Sequence, residues 1–224
     1  MKKDNSKTEL FDQIRVLKLN RHYRLGDVFY AKGMRWEHDR NVILSDPSFK
    51  NTILYQYLNT LGDIKSKKQD WNSLLTVLKN FSRPVKNGFC VQIRCGDIAT
   101  DDDYHKQCFI FNQDLFINRI AQQLDKNVSS ITIVAAMHYG ANNLLNNRYS
   151  YTDLNYNTNR TLLSNLFSLI EQKFKLPINI HQNSSDDIKF IDDQFLELIF
   201  SGKSILDHGG FGNLVAQIRK KLEI

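Results

Sequence analysis

The sequence is poor in the residues that staple or embed a chain. Its three cysteines, Cys90, Cys95 and Cys108, are an odd number without framework spacing, which predicts reduced thiols instead of a disulfide scaffold. Cys90 and Cys95 do not form a C-x-x-C pair, so no zinc site, and no metal at all, is expected. Only three residues are proline and 42% are apolar, a globular and not a disordered balance. No apolar run approaches the roughly 20 residues that a bilayer-crossing helix needs. The opening MKKDNSKTEL is polar and lacks the apolar segment of a signal peptide. These absences predict a cytoplasmic protein with no transmembrane segment, open to peripheral association with a membrane. The sequons at Asn80 and Asn159 are then chance. No basic stripe interleaved with aromatics occurs and lysines cluster only briefly, as in KSKK at 65–68, so no nucleic-acid partner is expected. The net charge of +6 still suits a ligand that carries phosphate.

What is present is alternation. GFCVQI (88–93) reads as a buried strand, QDLFINRIAQQL (113–124) as a helix and ITIVAAM (131–137) as a second buried strand. RTLLSNLFSLIEQKF (160–174) reads as an amphipathic helix capped by Thr158 or Asn159. PINIH (177–181), DDQFLELIFSG (192–202, stopped by Gly202), KSILDH (203–208) and FGNLVAQIRKKLEI (211–224) continue as strand, helix, strand, helix. Such alternation predicts right-handed βαβ units and a mainly parallel sheet, with ligands outside the carboxyl ends of the strands. Before it, IRVLKL (14–19) and NVILSD (41–46) read as strands, VFYAKGMRWEHD (28–39) as a helix, and the stretches near 48–61 and 70–80 as helices. SRPVKNG (82–88) reads as a linker. The expectation is an α/β chain of two Rossmann-like domains, a reduced one over 1–83 and a ligand-binding one over 84–224.

Three constellations fall on the expected rim. In QIRCGD (92–97), Gln92 and Arg94 share a strand parity, so both face the same side. The Arg94 guanidinium can clamp phosphate oxygens through two N–H groups. Gly96 permits a tight turn, and Asp97 can orient Arg94, cap the turn or act on an acceptor hydroxyl. In DHGGFGN (207–213), His208, Gly209, Gly210, Phe211, Gly212 and Asn213 lead into the last helix and aim its free N–H groups at one point. In KFIDDQF (189–195), Asp192 and Asp193 either cap a helix or accept hydrogen bonds from a ribose or a base. His138, His181 and His208 do not show metal spacing.

FCVQIRCGD resembles the H-x-R-x-G-D segment of the alpha-1,2-fucosyltransferases and their protein O-fucosyltransferase and nodulation-fucosyltransferase relatives. FIDDQFLELIFSGKSILDHGGFGNLVAQI looks like that superfamily's acidic-helix, strand and phosphate-turn signature. YRLGDVFYAKGMRWEHDRNVILSD (23–46) is similar to its opening Gly turn. The resemblance implies a GT-B fold and an inverting, metal-independent glycosyltransferase that needs no cofactor. Its partners would be a nucleotide-sugar donor, most simply GDP-fucose, and a glycan acceptor. By match, Arg94 would hold the diphosphate, Gly210, Phe211 and Gly212 would form the phosphate turn, and Asp193 or Asp192 would hold the nucleoside. Gly26 and Asp27 would occupy the inter-domain turn. Asp97 and Asp27 are both candidates for the base. Gln92 stands where the family has His, and Gly210 and Gly212 stand where it has hydroxyl residues. A different donor sugar and a nucleotide-sugar-binding module without transfer are the alternatives.

Overall fold

The computed structural model describes residues 10–17, 25–30, 36–62, 69–96, 98, 107–138, 152–182 and 187–224. Five parallel strands form one sheet: β1 (Val16–Leu17), β2 (Lys86–Gly96), β3 (Ile131–His138), β4 (Ile178–Ile180) and β5 (Ser201–Ile205). β2 lies at its centre, between β3 and β5. β4 and β1 share the far edge of β3. β4 pairs with its start, Ile131 opposite Ile178, and β1 with its end, Leu17 opposite His138.

The described helices are α1 (Leu25–Phe29), α2 (Trp36–Ser45), α3 (Ile53–Thr60), α4 (Trp71–Lys79), α5 (Gln113–Gln123), α6 (Asp153–Phe174), α7 (Asp187–Phe200) and α8 (Gly210–Leu222). From β2 the chain steps outward through α5 to β3 and through α6 to β4. It then returns through α7 to β5, on the other side of β2. Because crossovers are right-handed, reversing the direction of travel moves the helices to the opposite face. The apolar clusters follow this rule. Phe89, Val91, Ile93 and Cys95 of β2 pack with α5 and α6, while Cys90 and Val134 pack with α7, α8 and the helices of 25–79. The reversal creates a topological switch point between β2 and β5, where α/β sheets bind ligands.

Local sequence accounts for four of the eight helix starts given above. Thr52, Asp70, Asn112 and Thr152 each accept an N–H from three residues on, at the start of α3, α4, α5 and α6. Three sequence expectations are corrected. NVILSD (41–46) falls largely within α2 and is no strand, because Asp39 and Ile43, four residues apart, form the buried side of a helix. α6 starts at Asp153 with Thr152 as its cap, so Asn159 lies inside it. Its inward stripe begins with two asparagines, Asn155 and Asn159, which apolar periodicity does not register. Gly202 does not stop a helix: α7 ends at Phe200, and Gly202 lies in β5, where a Cβ would stand 3.1 Å from the Lys86 carbonyl oxygen. Residues on both sides of position 83 share one apolar cluster, and Val16–Leu17 extends the sheet that holds β2. Among the described residues no helix is long and apolar enough to cross a membrane.

Candidate functional site

The site begins where β2 outruns β5. β5 ends at Ile205, opposite Val91, so the end of β2 has no strand on that edge among the described residues. The side chain of Asp207 takes its place. Oδ2 accepts the Arg94 N–H at 2.8 Å, and Oδ1 accepts the N–H groups of His208 at 2.7 Å and Phe109 at 3.1 Å. One carboxyl group thus ties together β2, the 107–109 segment and the turn into α8. Asp207 is 2% exposed. Burial pushes its carboxyl up to about 6, against the opposing pull of the three N–H groups and the Arg94 charge.

Gly96 closes β2 with φ +96°, a conformation that suits glycine. Asn159, fully buried in α6, grips its peptide on both sides. Oδ1 accepts the Gly96 N–H at 2.8 Å, and Nδ2 donates to the Gly96 carbonyl at 3.0 Å and to that of Asn155 at 2.7 Å. The two clamps hold the strand end at Arg94 and at Gly96.

Arg94 runs along the main chain of Gly209. A Cβ on Gly209 would stand 3.1 Å from Nη1, 3.6 Å from Cδ and 3.8 Å from Cζ, and Gly209 has φ +135°. Gly209 is the N-cap of α8 and supplies no side-chain cap. The N–H groups of Gly210, Phe211 and Gly212 donate to nothing among the described residues, while Asn213 N–H bonds the Gly209 carbonyl at 3.0 Å. A fixed cation and the positive end of a thirteen-residue helix therefore meet at the switch point. α1 crosses close by: a Cβ on Gly26 would lie 3.5 Å from the carbonyl of Gly210 and from the nitrogen of Phe211. Gln92 reaches the same turn from below, and a Cβ on Gly212 would stand 2.6 Å from its Oε1.

The structure thus brings together Gly26, Gln92, Arg94, Gly209, Gly210, Phe211 and Gly212, with Gly96 two residues beyond Arg94 and held by Asn159. Phe211 also packs edge-on against Phe195, with centroids 5.5 Å apart. His208 and Asn213 are exposed at the turn. Asp27 lies in α1, with its side chain outside the described residues, and Asp97 is outside them altogether. The acidic pair of α7 is engaged within the chain. Asp192 Oδ2 accepts the Ile53 N–H at 2.7 Å, at the start of α3, and Asp193 pairs with Arg83 at 3.1 Å. Burial, with Asp193 nearby, pushes the Asp192 carboxyl up to about 7, against the pull of the Ile53 N–H. His181 is buried after β4, and burial lowers its pKa.

Sequence reasoning missed Asp207 and Asn159 as clamps. Asp207 had a visible signal, an acidic residue ending a strand just before a Gly-rich turn. Asn159 had none, because its partner Gly96 is 63 residues away. Comparison with protein-family profiles, curated proteins and solved structures finds no match to the chain.

Proposed function

We propose that this crevice holds the diphosphate of a nucleotide-sugar and that the protein is an inverting, metal-independent glycosyltransferase, with GDP-fucose as the first donor to test. The observation that carries the proposal is the approach of the Arg94 guanidinium to Gly209, beside the unpartnered N–H groups of Gly210, Phe211 and Gly212. Guanidinium and main-chain amides recognise phosphate oxygens through short charge-assisted hydrogen bonds. The same groups stabilise charge that develops on a departing diphosphate, because they are fixed before the reaction begins. Asp207 and Asn159 support this fixed geometry by holding the main chain at both ends of the Arg94–Gly96 segment.

In this reading the sugar moves in a single displacement, the nucleoside diphosphate leaves toward Arg94, and a carboxylate takes the proton of a glycan hydroxyl. Asp97 and Asp27 are the candidates for that base. The GT-B arrangement enters the proposal through its donor-binding half alone. The test is incubation with GDP-, UDP- and dTDP-sugars, alone and with glycan acceptors. Acceptor-dependent release of free nucleotide supports transfer. Its absence across the panel, at protein concentrations that saturate binding, sinks it.

A second reading, a binding module without transfer, is favoured by one observation. Asp192 and Asp193 are already used by Ile53 and Arg83, so the acidic partner that the resemblance assigns to the nucleoside is engaged elsewhere. Binding that raises the melting temperature without nucleotide release marks this reading.

A further inference from the structure

Two acceptor oxygens in the crevice lack a donor. Gln92 is 7% exposed, and its Oε1 is buried without a hydrogen-bond partner. The main-chain oxygen of Asp207 also receives no hydrogen bond among the described residues. Both converge on Gly212, lying 2.6 Å and 2.5 Å from the point where a Cβ on that residue would stand. Buried acceptors left without a donor are rare in folded proteins, since each keeps its desolvation cost. The glutamine carries its own remedy. The two ends of a carboxamide have the same shape, and one donates where the other accepts. Turned end for end, Gln92 would place an N–H beside Gly212, on the side where the Asp207 carbonyl oxygen also lies, and its oxygen at the other end of the amide. That end is not among the buried unpartnered atoms of the described residues. The Gln92 side chain lies on the same side of β2 as Arg94, one pleat repeat (about 7 Å) further down the strand.

We propose that Gln92 donates to the Asp207 carbonyl and presents its oxygen to a hydroxyl of the ligand, so that the crevice selects a phosphate ester carrying a hydroxyl near its phosphate over a bare inorganic anion. The inference rests on the phosphate-binding reading above and adds what the ligand must carry besides phosphate. The donors of the site are the Arg94 guanidinium and the amides of Gly210, Phe211 and Gly212, and Gln92 adds an acceptor beside Gly212. Pyrophosphate brings acceptors only and satisfies the donors alone. A nucleotide-sugar or sugar phosphate satisfies both, and a site that bonds a hydroxyl discriminates against ligands without one.

Calorimetric titration of the wild type and of Gln92→Met with pyrophosphate, GDP, GDP-fucose and UDP-glucose tests it. The wild type should bind at least one hydroxyl-bearing ligand about tenfold more tightly than pyrophosphate, a preference Gln92→Met abolishes by weakening that ligand more than it weakens pyrophosphate. Loss of affinity for GDP as well as for the sugar nucleotides assigns the hydroxyl to the ribose, and loss for the sugar nucleotides alone assigns it to the sugar. An unchanged preference, or an equal loss for every ligand, overturns the inference and leaves the phosphate site standing. If the wild type binds none of the four, the phosphate reading falls and this inference with it. If Gln92→Met does not fold, nitrogen-15 NMR of the wild type decides: the Gln92 side-chain amide protons should exchange slowly with solvent before any ligand is added. Fast exchange contradicts the bond to Asp207.

Discussion

Odd-numbered residues of β2, from Phe89 to Cys95, lie under α5 and α6, while the even-numbered Cys90, Gln92 and Arg94 turn toward α7, α8 and the helices of 25–79. The first face is apolar along its whole length. Ile131, Ile133, Ala135 and Met137 of β3 continue it, and every one of these side chains is buried. The second face changes character along the strand. Cys90 is core, Gln92 is a buried amide, and Arg94 is half-buried against a helix N-terminus. The change comes just past Val91, where β5 stops. One face can be sealed because apolar groups need no partner. Where β2 outruns β5, main-chain groups are left for polar side chains, and Asp207 after β5 and Asn159 of α6 take up some of them. The candidate site, with Gln92 and Arg94, lies on the second face.

Substitutions on each face separate the two roles. The largest effect is expected on the sealed face. Phe167→Ala should cost about 3–5 kcal/mol in denaturant unfolding, with ligand affinity of the folded fraction unchanged. Equal loss of affinity would mean that the faces are not independent. Arg94→Ala should act the other way, weakening nucleotide-sugar binding about a hundredfold while the melting temperature stays near that of the wild type. Next comes Gly209→Ala, which puts a side chain at φ +135° and against Arg94 Nη1. It should cost about 1–3 kcal/mol and also weaken binding, because the guanidinium must move. A loss of stability with full affinity would show that Arg94 does not need its place beside Gly209.

The smallest effect concerns Asp192, on the second face but away from the crevice. Its carboxyl is raised to about 7 in the folded chain, so the folded state holds the proton more tightly than the unfolded state does. The stabilisation this provides is complete below the unfolded value of about 4 and is lost as pH rises toward 7. Asp192→Asn removes the charge and keeps one acceptor for the Ile53 N–H. The variant should gain stability relative to the wild type as pH rises from about 5 to about 8, by an amount of order 1 kcal/mol. A difference that does not vary with pH would show that Asp192 is charged without penalty.

How much of this could be read in advance differs by element. The sheet was legible because GFCVQI and ITIVAAM are short apolar runs bounded by turns, and α5 and α8 because their apolar residues recur at helical spacing. The approach of Arg94 to Gly209 followed from strand parity together with the parallel topology. α2 was not legible, because NVILSD carries β-branched residues while tertiary contact with Ile43 selects a helix. The start of α6 was hidden because its buried side opens with Asn155 and Asn159, which bond main chain and leave no apolar signal. Asp207 could be placed on the rim, but its three N–H partners come from separate parts of the chain, and only the fold assembles them.

The measurement closest to the central proposal is a nitrogen-15 NMR titration of the wild type with GDP-fucose and with pyrophosphate. The main-chain amides of Gly210, Phe211 and Gly212 and the Arg94 guanidinium should shift together and saturate at one ligand concentration. Binding that perturbs amides elsewhere and leaves these four untouched would contradict a phosphate held between Arg94 and the start of α8.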